Sequence, residues 1–185
     1  MRALDKPLVF VDIETTGLSP TKARVIEVAA IRVEQGVVVE EFNQLIDPET
    51  ELPYFISRLT GISADDLYDA PVFADIADEL YRIMDGAIFV AHNVRFDHSF
   101  LQHEFSRVGK NFDPKLLCTM RLSRALYPQH ASHKLANLIE RHGFTYAARH
   151  RAYDDAHVLW QFLQHSQNTF TSDVLDAATN RIVGA

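Results

Sequence analysis

The sequence predicts an α/β domain in which a mixed sheet of five strands lies between helices in three layers. Two observations point to this class. The first quarter of the chain holds apolar runs rich in β-branched residues, and short apolar runs then alternate with helical patterns. The length of 185 residues fits one domain, and the 47% of hydrophobic residues is enough to fill its core.

Three strands come first in the chain. The runs that predict them are Leu8–Ile13, Arg24–Val33 and Val37–Ile46. A tight turn at residues 34–36, which ends in Gly36, joins the last two, and Asp47-Pro48 ends the third. We expect an antiparallel meander.

Strands and helices alternate in the rest of the chain. The predicted segments are short helical turns over Ser57–Leu67 broken at Gly61, a helix over Pro71–Met84, a strand over Ala87–Ala91, a helix over Val94–Val108, a strand over Leu116–Thr119, and helices over Met120–Tyr127, Leu135–Arg141 and Ala152–Gln167. One folded domain is therefore expected over residues 1–168. Residues 169–185 have weak periodicity and form either a docking tail or a frayed end.

Composition limits the function. The formal net charge of −7 argues against a protein that coats duplex DNA, but it permits an acidic site whose bound cations supply positive charge. The single cysteine, Cys118, excludes an internal disulfide and a cysteine-based zinc site, and it suits a reducing compartment. With no signal sequence and no apolar run of membrane-spanning length, we expect a cytoplasmic protein without a membrane partner.

Two carboxylates follow the first apolar run. Asp12 and Glu14 are two residues apart, so a strand would project both from the same face. Adjacent anions raise each other's pKa unless a cation binds, and a divalent cation with oxygen ligands would do so. A solvent-exposed strand end is the alternative. Thr16 and Gly17 follow, and they offer a hydrogen-bond donor and either an unusual backbone angle or close approach of a ligand.

Two further clusters contain an aspartate. His92-Asn93-Val94-Arg95-Phe96-Asp97 lies where a predicted strand enters a helix, at the edge of the sheet where sites collect. Asn93 as a helix cap and Asp97 as a first-turn acid would explain those residues structurally. The other cluster is the string His150-Arg151-Ala152-Tyr153-Asp154-Asp155. Imidazole exchanges protons near neutral pH, so His150 is a candidate general base.

Together the three strings DIETTGL, HNVRFD and HRAYDD resemble the motifs of the DEDDh exonuclease family, which has a ribonuclease-H-like fold. The resemblance runs from about Pro7 to Gln164 and is closest to the DnaQ-like branch, which resembles the proofreading epsilon subunit of DNA polymerase III. The segments at 59–63 and 132–138 also resemble parts of that family. The resemblance implies a 3′→5′ exonuclease that removes 5′-mononucleotides by a two-metal mechanism.

The resemblance also implies residue roles. Two Mg²⁺ ions, which Mn²⁺ can replace, would be held by Asp12, Glu14, Asp97 and Asp155. His150 would activate the water, and its five-residue offset selects Asp155 rather than Asp154. The substrate would be contacted at Thr16, Gly17, Leu18, His92, Asn93 and Phe96.

Three alternatives remain at this point. The motifs do not separate single-stranded DNA, the expected substrate, from RNA that would be trimmed at its 3′ end. The chain could also act as a partner-dependent module in a polymerase, repair or CRISPR-adaptation complex, or keep the fold only as a scaffold. A transition-metal site built from His92, His98, His103, His130 and His133 is a third reading.

Overall fold

The computed structural model describes residues 2–148 and 150–183. The strands are β1 (Leu8–Thr15), β2 (Val25–Glu34), β3 (Val37–Leu45), β4 (Ile88–Ala91) and β5 (Leu116–Cys118). The helices are α1 (Tyr54–Thr60), α2 (Ala64–Tyr68), α3 (Phe73–Met84), α4 (Arg95–Arg107), α5 (Thr119–Leu126), α6 (Leu135–His142), α7 (Ala152–Thr169) and α8 (Ser172–Val183), after a short 3-10 helix at Ala3–Asp5. The predicted α/β class is confirmed.

The strands form one mixed sheet in the order β3-β2-β1-β4-β5. The meander of β1, β2 and β3 is antiparallel, whereas β1, β4 and β5 run parallel. The carboxyl ends of the three parallel strands therefore meet at one edge of the sheet, where ligand sites in α/β proteins collect.

Helices cover both faces of the sheet. Phe10 of β1 packs against Trp160 of α7 with ring centroids 5.4 Å apart. Phe89 of β4 lies beside Val9 in the sheet, so it points to the opposite face, where its ring contacts Phe112 at 5.8 Å. Residues at even positions of β1 therefore face α7. Asp12 and Glu14 have the same parity as Phe10, and this places them on the α7 side.

Two segments differ from their predicted bounds. β1 continues to Thr15 because it stays paired with β2 as far as Val25, so Glu14 lies within the strand. The predicted turns at 57–67 form two helices, α1 and α2. Gly61 separates them with φ of 73°, a left-handed conformation that only glycine adopts freely.

The chain after residue 168 continues as helix. α8 buries Leu175, Ala178 and Ile182 against the rest of the fold. The amide oxygen of Asn180 accepts a hydrogen bond of 2.9 Å from the backbone of Ala3, so α8 also fastens the start of the chain. The domain boundary at residue 168 remains a prediction. None of the helices described here is both long and apolar enough to cross a membrane.

Candidate active site

β1 supplies two of the predicted acids. Asp12 and Glu14 are half-buried, whereas the intervening Ile13 and the flanking Val11 and Thr15 are buried. This alternation follows from the strand geometry, since side chains two residues apart share a face. The apolar positions anchor the strand in the core, and the carboxylates emerge near its carboxyl end.

Asp97 comes from the helix that follows β4. It lies in the first turn of α4, where the helix dipole favours an anion, and its side chain is only 3% exposed. Asn93 is not the helix cap, because Val94 occupies that position. Asn93 instead adopts a left-handed conformation with φ of 63°. The chain turns sharply there before it enters α4.

The third cluster brings a histidine and an aspartate to the same place. Ligand atoms of Glu14, His150 and Asp155 all lie within 4.8 Å of one another. His150 has φ of 57° and is a second non-glycine residue in the left-handed region beside this site. Asp154 points elsewhere, since its carboxylate accepts hydrogen bonds of 2.9 and 3.1 Å from the backbone of Ala147 and Ala148.

The acids repel one another. Burial raises the pKa of Asp12 well above its ordinary value, and the charges of Asp97, Asp155, Glu14 and Glu27 raise it further. Burial also raises the pKa of Asp97 well above its usual range. Hydrogen bonds from the backbone of Asp97 and Ile13 oppose that shift, and repulsion from Glu14 adds to it. In the described part of the chain, every charged neighbour that shifts Asp12 is therefore an acid.

These residues fit divalent cations. Carboxylate oxygens are the ligands that Mg²⁺ and Mn²⁺ prefer. Burial and the repulsion between the acids both raise the pKa of Asp12 and of Asp97, and a bound cation would oppose both shifts. The imidazole of His150 lies close enough to Glu14 and Asp155 to act either on water or as a ligand.

A buried ion pair fixes the start of α7. Glu27 of β2 is paired with Glu14 across the strands and is 1% exposed. The guanidinium of Arg151 donates to both carboxylate oxygens of Glu27, at 2.8 to 3.2 Å, and the backbone of Ala152 donates at 3.0 Å. Glu27 thereby holds the backbone between His150 and Asp155. This role of Glu27 was not predicted from the sequence. A glutamate inside the apolar run Arg24–Val33 could have indicated a buried charge with a partner.

A second buried ion pair fixes the loop after β1. Glu104 of α4 is 2% exposed and receives hydrogen bonds from Arg24 at 2.8 and 3.2 Å. Arg24 also donates to the Pro48 carbonyl at 3.2 Å. The hydroxyl oxygen of Thr16 accepts from the backbone of Arg24 at 2.9 Å. The segment at Arg24 is thus hydrogen-bonded both to α4 and to Thr16.

The predicted substrate-binding residues of this loop lie on one depression. Thr16, Gly17 and Leu18 line it together with Lys22 and Pro53. Leu18 is 87% exposed, which is unusual for a leucine. The suggestion of an unusual backbone angle at Gly17 is wrong, because its φ lies outside the left-handed region and a Cβ would meet Ala23 at an acceptable 3.4 Å. Close approach of a ligand to Gly17 stays a prediction.

The predicted residues of the second cluster differ in exposure. Asn93 is exposed, whereas Phe96 is half-buried and packs against Phe100 with ring centroids 4.9 Å apart. His92 Nδ1 lies 3.0 Å from the hydroxyl oxygen of Thr119, which in turn donates to the Ala91 carbonyl. His92 therefore connects the end of β4 to the start of α5.

The other histidines have structural partners. His133 Nδ1 lies 2.8 Å from the Ser123 hydroxyl, and its Nε2 lies 3.0 Å from the His130 carbonyl. Both ring nitrogens of His133 are thus engaged by the protein. Over residues 2–148 and 150–183, the acid-and-histidine group that could hold a metal is Glu14, His150 and Asp155.

Comparison with known proteins agrees with this geometry. The model of a family described as RNase T exonuclease matches residues 9–163, which include all three motifs. The chain belongs to this exonuclease family. The resemblance to DnaQ-like exonucleases is thereby confirmed, and this RNase T family member is an exonuclease domain.

Curated relatives contain the same domain within longer chains. A 3′-5′ exonuclease DinG of Bacillus subtilis is 39% identical over 81% of this chain and 16% of the relative. A DNA polymerase III PolC-type protein of Halalkalibacterium halodurans is 35% identical over 87% of this chain and 12% of the relative. This family member thus spans less than a fifth of either relative.

Solved structures share the fold of this family member. Exonuclease X, in complex with 5′ overhanging duplex DNA, superposes with a TM-score of 0.72 at 22% identity, over 93% of this chain and 99% of that one. E. coli exonuclease I, in complex with a dA16 oligonucleotide, gives 0.80 at 20% identity, over 92% of this chain and 42% of that one. At these identities the likeness shows a common ribonuclease-H-like exonuclease fold.

Proposed function

We propose that this domain removes nucleotides one at a time from the 3′ end of DNA, prefers single strands, and releases 5′-mononucleotides. The observation that carries the proposal is the group of Glu14, His150 and Asp155, whose ligand atoms lie within 4.8 Å of one another. Asp12 interacts electrostatically with Glu14 and Asp155 of this group and with Asp97. The name of the B. subtilis relative supports the direction of cleavage, and the DNA complexes of the structural neighbours support DNA.

The four acids would hold two divalent cations, Mg²⁺ or Mn²⁺. When bound, the cations would neutralise the phosphodiester charge, favour hydroxide over water and stabilise the leaving oxygen. Each acid reaches the site from a fixed element: Asp12 and Glu14 from β1, Asp97 from α4 and Asp155 from α7. Asp12 would help to hold the cations, and the charges of Asp97, Asp155 and Glu14 all raise its pKa.

His150 is the proposed general base. It would accept a proton as the oxygen of a water molecule forms a bond to phosphorus. The bond between phosphorus and the 3′ oxygen of the preceding nucleotide then breaks, and that oxygen takes a proton from solvent. The terminal nucleotide leaves with its 5′-phosphate. General-base catalysis of this kind contributes about 10²- to 10⁴-fold to the rate.

Two sets of residues would contact the substrate. Thr16, Gly17 and Leu18 line a depression beside the acids and would meet the terminal nucleotide. The exposed Leu18 side chain offers an apolar surface to a base. His92, Asn93 and Phe96 would support the site or the neighbouring nucleotide from the start of α4.

A protein partner and a cytoplasmic location are also part of the proposal. The relatives embed the matching segment in longer chains, one of which is named as a DNA polymerase. A polymerase or repair complex could therefore supply substrate affinity that a chain of net charge −7 lacks. The one cysteine, Cys118, is buried as a free thiol, which suits a reducing compartment.

A competition assay tests the substrate. DNA and RNA oligonucleotides of matched sequence would be mixed with the enzyme and Mg²⁺, and the released mononucleotides separated by chromatography. We expect deoxynucleoside 5′-monophosphates to appear first, and a 3′-phosphate on the DNA to slow their release. Faster release of ribonucleotides would select RNA trimming instead, and 3′-monophosphate products would contradict the proposed reaction.

A further inference from the structure

Five exposed cations form a surface around β5 and the start of α5. Two shallow depressions adjoin each other there, and both are lined by Arg121 and Ile182. The side chains of this surface, which we call the Arg121 surface, are Arg95, Lys115, Arg121, Arg124 and Arg181. Neither depression has an aspartate or a glutamate in its lining.

Seven other cations of the described chain are ion-paired, Arg2 with Asp176 among them, whereas Lys6, Lys22, Arg58, Lys134 and Arg141 are not. Arg24, Arg32, Arg82, Arg107, Lys110 and Arg151 each form an ion pair with an acid. Over the described residues, the five cations of the Arg121 surface form none. Arg121 and Arg124 are three residues apart on α5, a spacing at which like charges destabilise a helix. In a chain with 25 acids and 18 bases, this segregation points to an anionic ligand.

Two cations of the surface follow the carboxyl ends of parallel strands. Arg95 lies in the first turn of α4, two residues before Asp97. Arg121 lies in the first turn of α5, directly after β5, and the first residue of that helix, Thr119, is hydrogen-bonded to His92. β1, β4 and β5 are parallel, so Asp12, Asp97 and Arg121 follow one another along the same edge of the sheet. Arg181 of α8 extends the positive charge further.

We propose that the Arg121 surface binds the phosphates of the substrate strand on the 5′ side of the scissile linkage. This inference rests on the proposed function, since it assumes that the 3′ end lies at the acid cluster. A single strand carries one negative charge per nucleotide, and cations along its path bind it without reading sequence. The acids would repel the approaching strand, and the Arg121 surface supplies the opposing attraction.

Paired substitutions test the surface. Arg121→Gln/Arg124→Gln removes two charges from its centre, and Arg95→Gln/Arg181→Gln removes two from its flanks. Arg82→Gln/Lys110→Gln makes the same change in net charge on α3 and after α4, at cations that form surface ion pairs. The four target side chains are exposed, so the target variants should fold.

Binding of a 5′-fluorescent single strand is measured by anisotropy in EDTA over a series of salt concentrations, so no hydrolysis is needed. Since each neutralised phosphate contributes a slope of about −0.7 for single strands, Arg121→Gln/Arg124→Gln should flatten the slope of log K against log salt by about 1.4 and weaken binding roughly tenfold at low salt. Wild-type slope and affinity in both target variants would overturn the inference, and so would equal losses in the control pair.

A small substrate separates this inference from the proposed function. The p-nitrophenyl ester of thymidine 5′-monophosphate has no 5′ strand and reports the acid cluster alone. Turnover of this ester that persists in the target variants, with the KM of a long oligonucleotide raised, supports the surface. Failure of the wild-type enzyme to hydrolyse either substrate would refute the proposed function, whereas the anisotropy result still decides what the surface binds. A wild-type protein that binds an acidic peptide but no oligonucleotide would overturn the inference.

Discussion

At the scale of single residues, the candidate site gathers several acids around the carboxyl group of Asp12. Asp12 is the centre of this cluster, since burial and four neighbouring acids all raise its pKa. A carboxyl group whose pKa is raised by folding begins to destabilise the folded state when the pH rises above its pKa in the unfolded chain. The destabilisation is complete above its pKa in the folded state. At neutral pH in the absence of metal, Asp12 therefore opposes folding while it prepares the site for cations.

Asp12→Asn should separate activity from stability. Without the charge, nuclease activity should fall below one thousandth of wild type, while the metal-free protein becomes more stable because the repulsion is lost. A gain on the order of 1 kcal/mol would raise Tm by roughly 2–4 °C for a chain of this size. Calorimetry in EDTA and activity in Mg²⁺ measure the two effects. An active variant, or one less stable than wild type, would contradict this assignment.

His150→Ala distinguishes a base from a ligand. If His150 acts on water, the variant should lose about 10²- to 10⁴-fold in kcat and keep its affinity for Mn²⁺. Calorimetric titration of Mn²⁺ into both proteins gives the affinity, and steady-state kinetics gives kcat. Loss of Mn²⁺ binding together with activity would instead make the imidazole a metal ligand.

At the scale of elements, two buried glutamates position the segments that carry the site. Glu27 holds the start of α7 through Arg151 and Ala152, and Glu104 holds the loop after β1 through Arg24. Each glutamate lies on an element packed into the core, and each arginine lies on a loop or at a helix start. We therefore expect the candidate active site to depend on these two ion pairs.

Glu27→Gln should lower kcat more than it changes KM. The amide keeps the volume but weakens the bidentate hold on Arg151, so Asp155 and His150 shift relative to β1. Misplacement by about 1 Å can cost on the order of 100-fold in rate. Glu40→Gln, at the exposed pair with Arg82, is the matched control and should leave kinetics unchanged. Wild-type kcat in Glu27→Gln would show that this ion pair stabilises the fold only.

The sequence predicted best those features that depend on residues close together in the chain. The two-residue period of a strand was enough to predict that Asp12 and Glu14 share a face. Gly61 was enough to predict the break between α1 and α2. The Glu27–Arg151 pair joins residues 124 positions apart, so no local pattern contains it. α8 was indistinct because four buried positions in twelve residues, two of them Ala178 and Thr179, give a weak apolar stripe. Its burial depends on neighbours that only the fold supplies.

At the scale of the whole molecule, charge is divided between two neighbouring regions. The acids converge at the carboxyl end of β1, and the Arg121 surface collects cations from three helices and the segment before β5. The net charge of −7 conceals this division. Composition alone could exclude a protein that coats duplex DNA, but it could not show a local positive surface, because the contributing residues are spread from 95 to 181.

Acid should destabilise the molecule through His142. Burial, with the nearby charges of His165, Arg141 and His130, lowers the pKa of His142 from 6.5 to about 4. A base with a lowered folded pKa binds protons more readily when unfolded, so stability should fall as pH drops from 6.5 towards 4. His142→Phe keeps an aromatic ring beside Phe144 and should reduce this loss. Urea unfolding of both proteins at the two ends of that pH range measures the loss of stability. If the variant showed the same pH dependence as wild type, His142 would not be the cause of the loss.

The central claim is that the acid cluster removes nucleotides from a 3′ end with the help of divalent cations. The most direct measurement is a gel time course on single-stranded DNA labelled at its 5′ end, with wild type and Asp12→Asn, in Mg²⁺, Mn²⁺ or EDTA. We predict a ladder that shortens stepwise from the 3′ end with wild type in either metal, and intact substrate in EDTA or with Asp12→Asn. Shortening in EDTA, or immediate release of the labelled 5′ nucleotide, would contradict the account.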